Sequence, residues 1–235
     1  MGIYGESKIG SVRKLNEDSF YISKEKDIMA VADGMGGYVG GEIASKTAVE
    51  GVAYYFQNYL HALPEQLVKA VQYANSCIIS KAMIDPSLKG MGTTLTLLSI
   101  GEHEAVWAHV GDSRIYLFRQ GQLEQITLDH SLVEALLKNG KITAEEALHH
   151  PDKNVLTRAV GVDRTVEVDS GSFEIKKNDR ILLCTDGLNT HVTRDDIIAA
   201  LSDYSQSERA ILNSLFELVY QNGAKDNVTA ILLTI

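Results

Sequence analysis

Few features of this sequence point to a membrane, a nucleic acid or an oxidising compartment. Its 235 residues hold two cysteines, Cys77 and Cys184, in unrelated apolar segments. That is too few for a disulfide framework; buried free thiols in a reducing cytosol are expected, and with them a cytoplasmic location. No run of about 18 apolar residues occurs, so no spanning helix is expected. Residues 1–11 are too polar for a secretory signal. Basic clusters are missing too: no Lys/Arg-rich run interrupts a formal net charge of -9. Nucleic acids and anionic membrane surfaces need a positive patch, so neither is an expected partner. There is no His/Cys cluster, which disfavours zinc, and no nucleophilic-cysteine motif. No repeat, low-complexity segment or linker divides the chain, and one domain over 1–235 is expected.

What is present is an ordinary globular composition, 45% hydrophobic and 23% charged, enough for one sizeable core. Strands are read at 1–12, around Phe20-Tyr21-Ile22 and at 28–32. A helix is read over 42–60, where Ile43, Ala44, Thr47, Ala48, Val52 and Tyr55 recur at helical spacing. Pro64 opens a second helix at the turn where proline costs least, and Asp85-Pro86 ends it. The period then changes. Stretches 93–100, Glu104–Val110 and Arg114–Arg119 read as strands around Gly101 and a Gln120-Gly121-Gln122 turn, a meander that implies antiparallel pairing. The stretch 129–158 is polar and helical, with Leu132, Val133, Leu136 and Leu137 as a short apolar stripe. Strands return at 165–172 and Arg180–Cys184, helices at 195–201 and 208–220, and a strand at 228–235. Helix pairs alternating with runs of strands predict layered α+β packing, not repeated βαβ units.

Five motifs set Asp or Glu beside Gly, Asn or Ser at strand ends: Asn16-Glu17-Asp18-Ser19, Asp33-Gly34, Gly111-Asp112-Ser113-Arg114, Thr185-Asp186-Gly187 and Lys225-Asp226-Asn227. Each alone is ordinary turn chemistry. Apolar strands ending in Asp-Gly, however, deliver carboxylates to one rim of a sheet. Two like charges about 4 Å apart repel by roughly 4 kcal/mol at an effective dielectric near 20. Carboxylates that converge therefore need cations or protons, and all-oxygen ligation points to Mg or Mn.

Arg13, Asn16-Glu17-Asp18, Val31-Ala32-Asp33-Gly34-Met35-Gly36-Gly37, Gly92-Thr93-Thr94, Gly111-Asp112-Ser113-Arg114, Asp129-His130-Ser131, the stretch 154–161, Thr185-Asp186-Gly187 and Asp226-Asn227 occur in one order. That ordered set resembles the metal-dependent protein serine/threonine phosphatases of the type 2C (PPM) family, in their short bacterial form. The resemblance implies a four-layer α/β/β/α sandwich of two antiparallel sheets flanked by helix pairs, with a flap subdomain at about 129–158. It implies hydrolysis of phosphoserine and phosphothreonine on proteins by a water bridging two Mn or Mg ions, with a third ion at a further site. By it, Asp33 touches both core ions and the Gly34 carbonyl serves one of them. Asp186 and Asp226 hold the other, while Glu17 and Asp18 act mainly through bound water. Asp112, with Asp186, would serve the third ion. Arg13 would bind phosphate, so Arg13 and Asp33 are the expected catalytic pair. The implied partners are phosphorylated proteins, a Ser/Thr kinase and its targets in bacterial signalling; a monomer is expected.

The chain departs from the family pattern in two places. Met35 stands where many members carry the histidine proposed as general acid, which would leave a metal-bound water as proton donor. Leu188-Asn189-Thr190 offers no auxiliary acid to the third site. Among the other candidates, His109 is expected in the core, Arg114 as a structural partner of a carboxylate, and His149 and His150 as exposed. Lys138, Lys141 and Lys153 read as a solvated face, with capture of an acidic phosphopeptide as the sharper reading. Two other functional classes stand beside the enzyme: a regulatory pseudophosphatase that binds phosphoproteins on the same fold, and an unrelated Mg-binding domain. The intact set of acids argues against the first.

Overall fold

A computed structural model describes residues 1–23, 25, 27–36, 40–57 and 63–235. Strands β1 (Gly2–Lys8), β2 (Asp18–Ser23) and β3 (Ile28–Met35) precede helices α1 (Gly40–Gln57) and α2 (Pro64–Ile84). Next come β4 (Gly92–Thr93), β5 (Leu95–Ile100), β6 (Glu104–Val110), β7 (Arg114–Arg119) and β8 (Gln122–Gln125). Helices α3 (Leu132–Lys138) and α4 (Ala144–Leu148) occupy the polar stretch. They are followed by β9 (Asp169–Glu174), β10 (Arg180–Cys184), α5 (Asp186–Asn189), α6 (Arg194–Ser202), α7 (Glu208–Gln221) and β11 (Val228–Thr234).

Among the described residues the strands form two antiparallel sheets. One runs β1-β11-β10-β7-β8; the other runs β2-β3-β5-β6-β9, with β4 paired to β3. Alternate residues of the central strands feed different cores, which is the two-faced geometry of a strand. Ile28, Ala30 and Ala32 of β3 meet α1 and α2, while Met29 and Val31 point to the second sheet. Leu182 and Cys184 of β10 meet α6 and α7, while Ile181 and Leu183 face inward. Helices thus cover the outer face of each sheet, giving the expected α/β/β/α sandwich. Burial on both faces is why these strands read in sequence as unbroken apolar runs instead of alternating ones.

Several boundaries differ from the sequence reading. Strand β3 does not stop before Asp33. It continues to Met35 because Gly34 and Met35 pair with Thr93 and Gly92, and Asp33 lies opposite Asp18. The strand expected at 165–172 lies at Asp169–Glu174: β6 runs only from opposite Glu174 to opposite Asp169, so the β-branched residues before 169 have no ladder. Gln122 is not turn but the start of β8, since Gln120 and Gly121 (φ 52° and 78°) complete the hairpin. Helix α5 was not foreseen; four residues are too short to show a period. Cys184 is buried as expected, but Cys77 is only half-buried. Gly37 and the tail of the first helix at 58–60 lie outside the described residues. No helix among the described residues is long and apolar enough to cross a membrane.

Candidate active site

The antiparallel register of β2 and β3 places Asp18 beside Asp33. The Asp33 backbone is fixed on both sides: its N–H donates to Thr94 Oγ1 at 2.9 Å, and its carbonyl accepts from the Thr94 N–H and the Thr93 hydroxyl, each at 2.8 Å. At Gly34 a Cβ would collide with the Gly41 carbonyl and the Glu17 backbone, so only glycine lets α1 and the Glu17 turn close on the strand. Strand β10 runs directly into Thr185, the N-cap of α5, whose first residue is Asp186. The turn before β11 supplies Asp226, and the turn between β6 and β7 supplies Asp112.

These side chains meet in one open cleft of about 580 Å³. Arg13, Glu17, Asp33, Gly34, Asp112, Asp186 and Asp226 all line it. Asp18 does not; it is buried beneath, where its Oδ2 accepts from the Thr185 hydroxyl at 2.8 Å. The sequence-predicted set is therefore brought together, with Asp18 as its buried base. Arg13 reaches inward across the rim: its Nη2 donates to Asp226 Oδ2 at 2.7 Å, and its Nη1 lies 3.7 Å from Glu17.

The electrostatics are those of crowded, desolvated acids. Burial, and then Asp18, Asp186, Asp112 and Asp226, hold the Asp33 carboxyl well above the usual carboxylate range. Burial likewise pushes Asp18 and Asp112 up to about 7, with Asp186 adding to both. Asp186 rises through burial and the neighbouring Asp226, and Glu17 through burial. Two carboxylate oxygens, Asp18 Oδ1 and Asp186 Oδ1, are buried with no hydrogen-bond partner. Buried acceptors without donors are costly, and a hard cation is the partner that would satisfy both them and the repulsion. Among the described residues no three acidic, histidine or cysteine side chains already stand as a ready ligand group. The fit to divalent ions therefore rests on the all-oxygen donor set and on the two orphaned oxygens.

Supporting residues were less visible in the sequence. Asn227 accepts the Glu17 N–H and donates to the Leu15 carbonyl, tying the Arg13 turn to β11. His130 accepts the Gly111 N–H on Nδ1 and turns Nε2 toward Asp169, which also takes Arg158 at 2.6 Å. Asp169 falls below the usual carboxylate range because these two donors outweigh its burial. Arg158 itself lines the cleft. His109 is in the core as expected: Nε2 donates to the Leu128 carbonyl and Nδ1 accepts from Thr96. Arg114 pairs with Asp129 through two nitrogens, the structural role foreseen for it. Lys138, Lys141, Lys153 and His149 are exposed, and His150 is half-buried.

Fold and site together define a class: a four-layer sandwich with an acidic cleft, its candidate metal donors all oxygen, at the rim of its two sheets. The profile of the protein phosphatase 2C family matches residues 5–232, and the chain belongs to that family. It is 39% identical over 223 residues to the serine/threonine protein phosphatase PstP of Mycobacterium tuberculosis, covering 94% of this chain but 42% of that protein's length. It is 38% identical over 233 residues to the serine/threonine phosphatase stp of Listeria welshimeri, covering 95% and 92% of the two chains. The crystal structure of the M. tuberculosis phosphatase PstP/Ppp superposes with a TM-score of 0.92 at 37% identity, covering 99% of this chain and 97% of that one. A catalytic-domain structure of PstP in complex with 2 manganese ions superposes with a TM-score of 0.89 at 36% identity, covering 98% and 96%.

Proposed function

We propose that this chain is a metal-dependent protein phosphatase that removes phosphate from phosphoserine and phosphothreonine, opposing a Ser/Thr kinase in bacterial signalling. The observation that carries the reading is the pair of orphaned oxygens, on Asp18 and Asp186, at a cleft where burial and mutual repulsion raise Asp33, Asp18, Asp112 and Asp186 above the usual carboxylate range. The bacterial relatives named above are serine/threonine phosphatases, and one of them is known with two manganese ions.

Asp33, the Gly34 carbonyl, Asp186 and Asp226 would hold two core ions, with Glu17 and Asp18 beside them and Asp112 at a third position. Bound there, Mn or Mg would supply Lewis-acid charge and make water acidic enough to attack phosphorus at neutral pH. The remaining work falls to the chain. Thr93 and Thr94 fix the Asp33 backbone, so that its carboxylate is presented without a search through rotamers of a loose turn. The Thr185 hydroxyl fixes one oxygen of Asp18 and leaves the other free. Arg13 offers a planar fork of donors to two phosphate oxygens, and its bond to Asp226 holds the fork at the rim before substrate arrives. Met35 carries no proton to give, so the leaving seryl or threonyl oxygen takes none from position 35.

The test is hydrolysis of a phosphothreonine peptide by protein stripped of metal, with and without Mn. Turnover restored by Mn and lost with chelator is expected; full turnover by the stripped protein would refute the reading.

A further inference from the structure

One wall of the cleft differs in chemistry from its acidic floor. Val162 lines the cleft and is 51% exposed. Half-buried Met35 lines it too, as do Leu156 and Ala159. Met35 and Val162 belong to segments more than a hundred residues apart, yet both close over Gly92. A Cβ added there would stand 2.9 Å from Met35 Cε and 2.9 Å from Val162 Cγ2. Glycine at 92 is what allows the two side chains to form one continuous apolar surface.

That surface is locked in register with the reacting centre. Thr93 exchanges both backbone hydrogen bonds with Val160 at 2.9 Å, and its hydroxyl donates to the Asp33 carbonyl. The turn beyond Val160 is pinned from behind by Asn75 on α2, which is 2% exposed. The Asn75 Oδ1 accepts the Gly161 N–H at 2.6 Å, and its Nδ2 donates to the Asp163 carbonyl at 3.0 Å. A buried amide with its oxygen and nitrogen both used on one turn fixes that turn's backbone. Val162 is thus held in the same cleft as the proposed phosphate site, beside Met35, Leu156 and Ala159, where its exposed side chain faces whatever enters.

We propose that Val162, with Met35, is a specificity shelf for an aliphatic side chain next to the phosphoresidue of the protein substrate, and that Asn75 is the positioning residue for it. The inference rests on the phosphatase reading and deepens it: favoured substrates are phosphopeptides with an apolar neighbour, not acidic or basic ones. An aliphatic side chain leaves water against Val162 and Met35, whereas a charged one would have to shed its hydration against those two apolar groups, the nearby charges of the wall being Asp163 and the Arg158 already paired with Glu167 and Asp169.

The experiment compares phosphothreonine peptides that carry leucine, alanine, lysine or glutamate on either side of the phosphoresidue, in Mn, with p-nitrophenyl phosphate as a peptide-free substrate. For the unmodified protein, kcat/KM with leucine at the favoured flank should exceed that with alanine by about tenfold, the low end for an apolar subsite. The ratio within each variant is the readout, so a general change in rate does not disturb it. Val162→Asp should bring the leucine/alanine ratio to within about twofold of one. Asn75→Ala should reduce the ratio through KM while kcat is retained, which a merely structural loss of folded protein would not do. If Asn75→Ala does not fold, Val162→Asp decides alone. A ratio near one in the unmodified protein, or an unchanged ratio in Val162→Asp, overturns the shelf. If the unmodified protein hydrolyses neither p-nitrophenyl phosphate nor any peptide in Mn, the phosphatase reading itself has failed, and the shelf with it.

Discussion

Asn227 accepts the backbone N–H of Glu17 at 2.8 Å across 210 positions of sequence. The same amide donates to the Leu15 carbonyl at 3.0 Å, and its own N–H binds Asp226 Oδ1 at 2.8 Å. One residue, through its side chain and its backbone N–H, therefore joins the Arg13–Asp18 turn to the acid before β11. Asn227→Ala would strand a buried donor and acceptor, a loss of about 1–3 kcal/mol. We expect a lowered urea midpoint together with a raised KM for phosphopeptide. A KM unchanged in the folded variant would separate Asn227 from the site.

Arg13 is tied to Asp226 by a contact that phosphate would compete for. Arg13→Ala is expected to raise KM and lower kcat/KM by about tenfold or more, since a bidentate contact is lost in both ground and transition states. Arg13→Lys keeps the charge without the fork and should recover only part of this. Peptide kinetics identical to those of the unmodified protein would remove Arg13 from phosphate binding.

Asp33→Asn and Asp112→Asn are expected to fail differently. Asp33 is the acid that feels Asp18, Asp186, Asp112 and Asp226 together, so its neutralisation should abolish nearly all turnover on small phosphoesters and phosphopeptides alike. Asp112 stands at the edge, next to Asp129 and Arg114. Its loss should slow turnover while two Mn ions still bind. Calorimetric stoichiometry beside kcat checks both; an empty core site in Asp112→Asn would reverse the assignment.

His109 gives the fold an acid-sensitive point. Burial and the neighbouring His130 push it down from 6.5 to about 3. Between those values the unfolded chain takes up a proton that the folded chain refuses, so this contribution to stability is whole above pH 6.5 and is lost as pH falls toward 3. Asp18 and Asp112, raised to about 7, slope the other way, but they do so in the parent and in a His109 variant alike. His109→Gln should therefore be less stable than the parent at pH 7.5, by about 1–2 kcal/mol, with a shallower decline between pH 6.5 and 4. Parallel urea-midpoint curves for the two proteins would contradict the assignment.

The stretch 129–158 carries α3, which has no fully buried residue, and α4, a helix of five residues. Its opening free energy should be low. Amide exchange there is expected to be faster than in Arg180–Cys184, whose residues are all buried; equal protection in both would argue against a moving flap.

The sequence announced the acids because each sits where an apolar run breaks, and a broken run is a local signal. It announced the sheets for the same reason, since Ile181 to Cys184 and Met29 to Ala32 are buried on both faces. What it could not announce was partnership. Asn75 reads as one polar residue on an amphipathic helix until Gly161 is seen 86 positions away. Thr94 reads as a strand residue until Asp33 is seen to lean on it. His130 was visible within a motif, yet its bond to Gly111 depends on how the polar stretch folds back. The strand misplaced at 165–172 has the right residue types, and it failed only because β6 ends where it does.

Strand β1 pairs with β11 from Gly2 opposite Thr234 to Lys8 opposite Val228. During synthesis, then, β1 waits until β11 has been made. Asp226 and Asn227 emerge after every other acid of the cleft has been made, and until then the Glu17 N–H lacks its Asn227 partner. A nascent chain halted before this point would carry Asp18, Asp33, Asp112 and Asp186 without Asp226 to complete the cleft. On the phosphatase reading proposed above, order of translation alone would keep such fragments silent, with no inhibitor required.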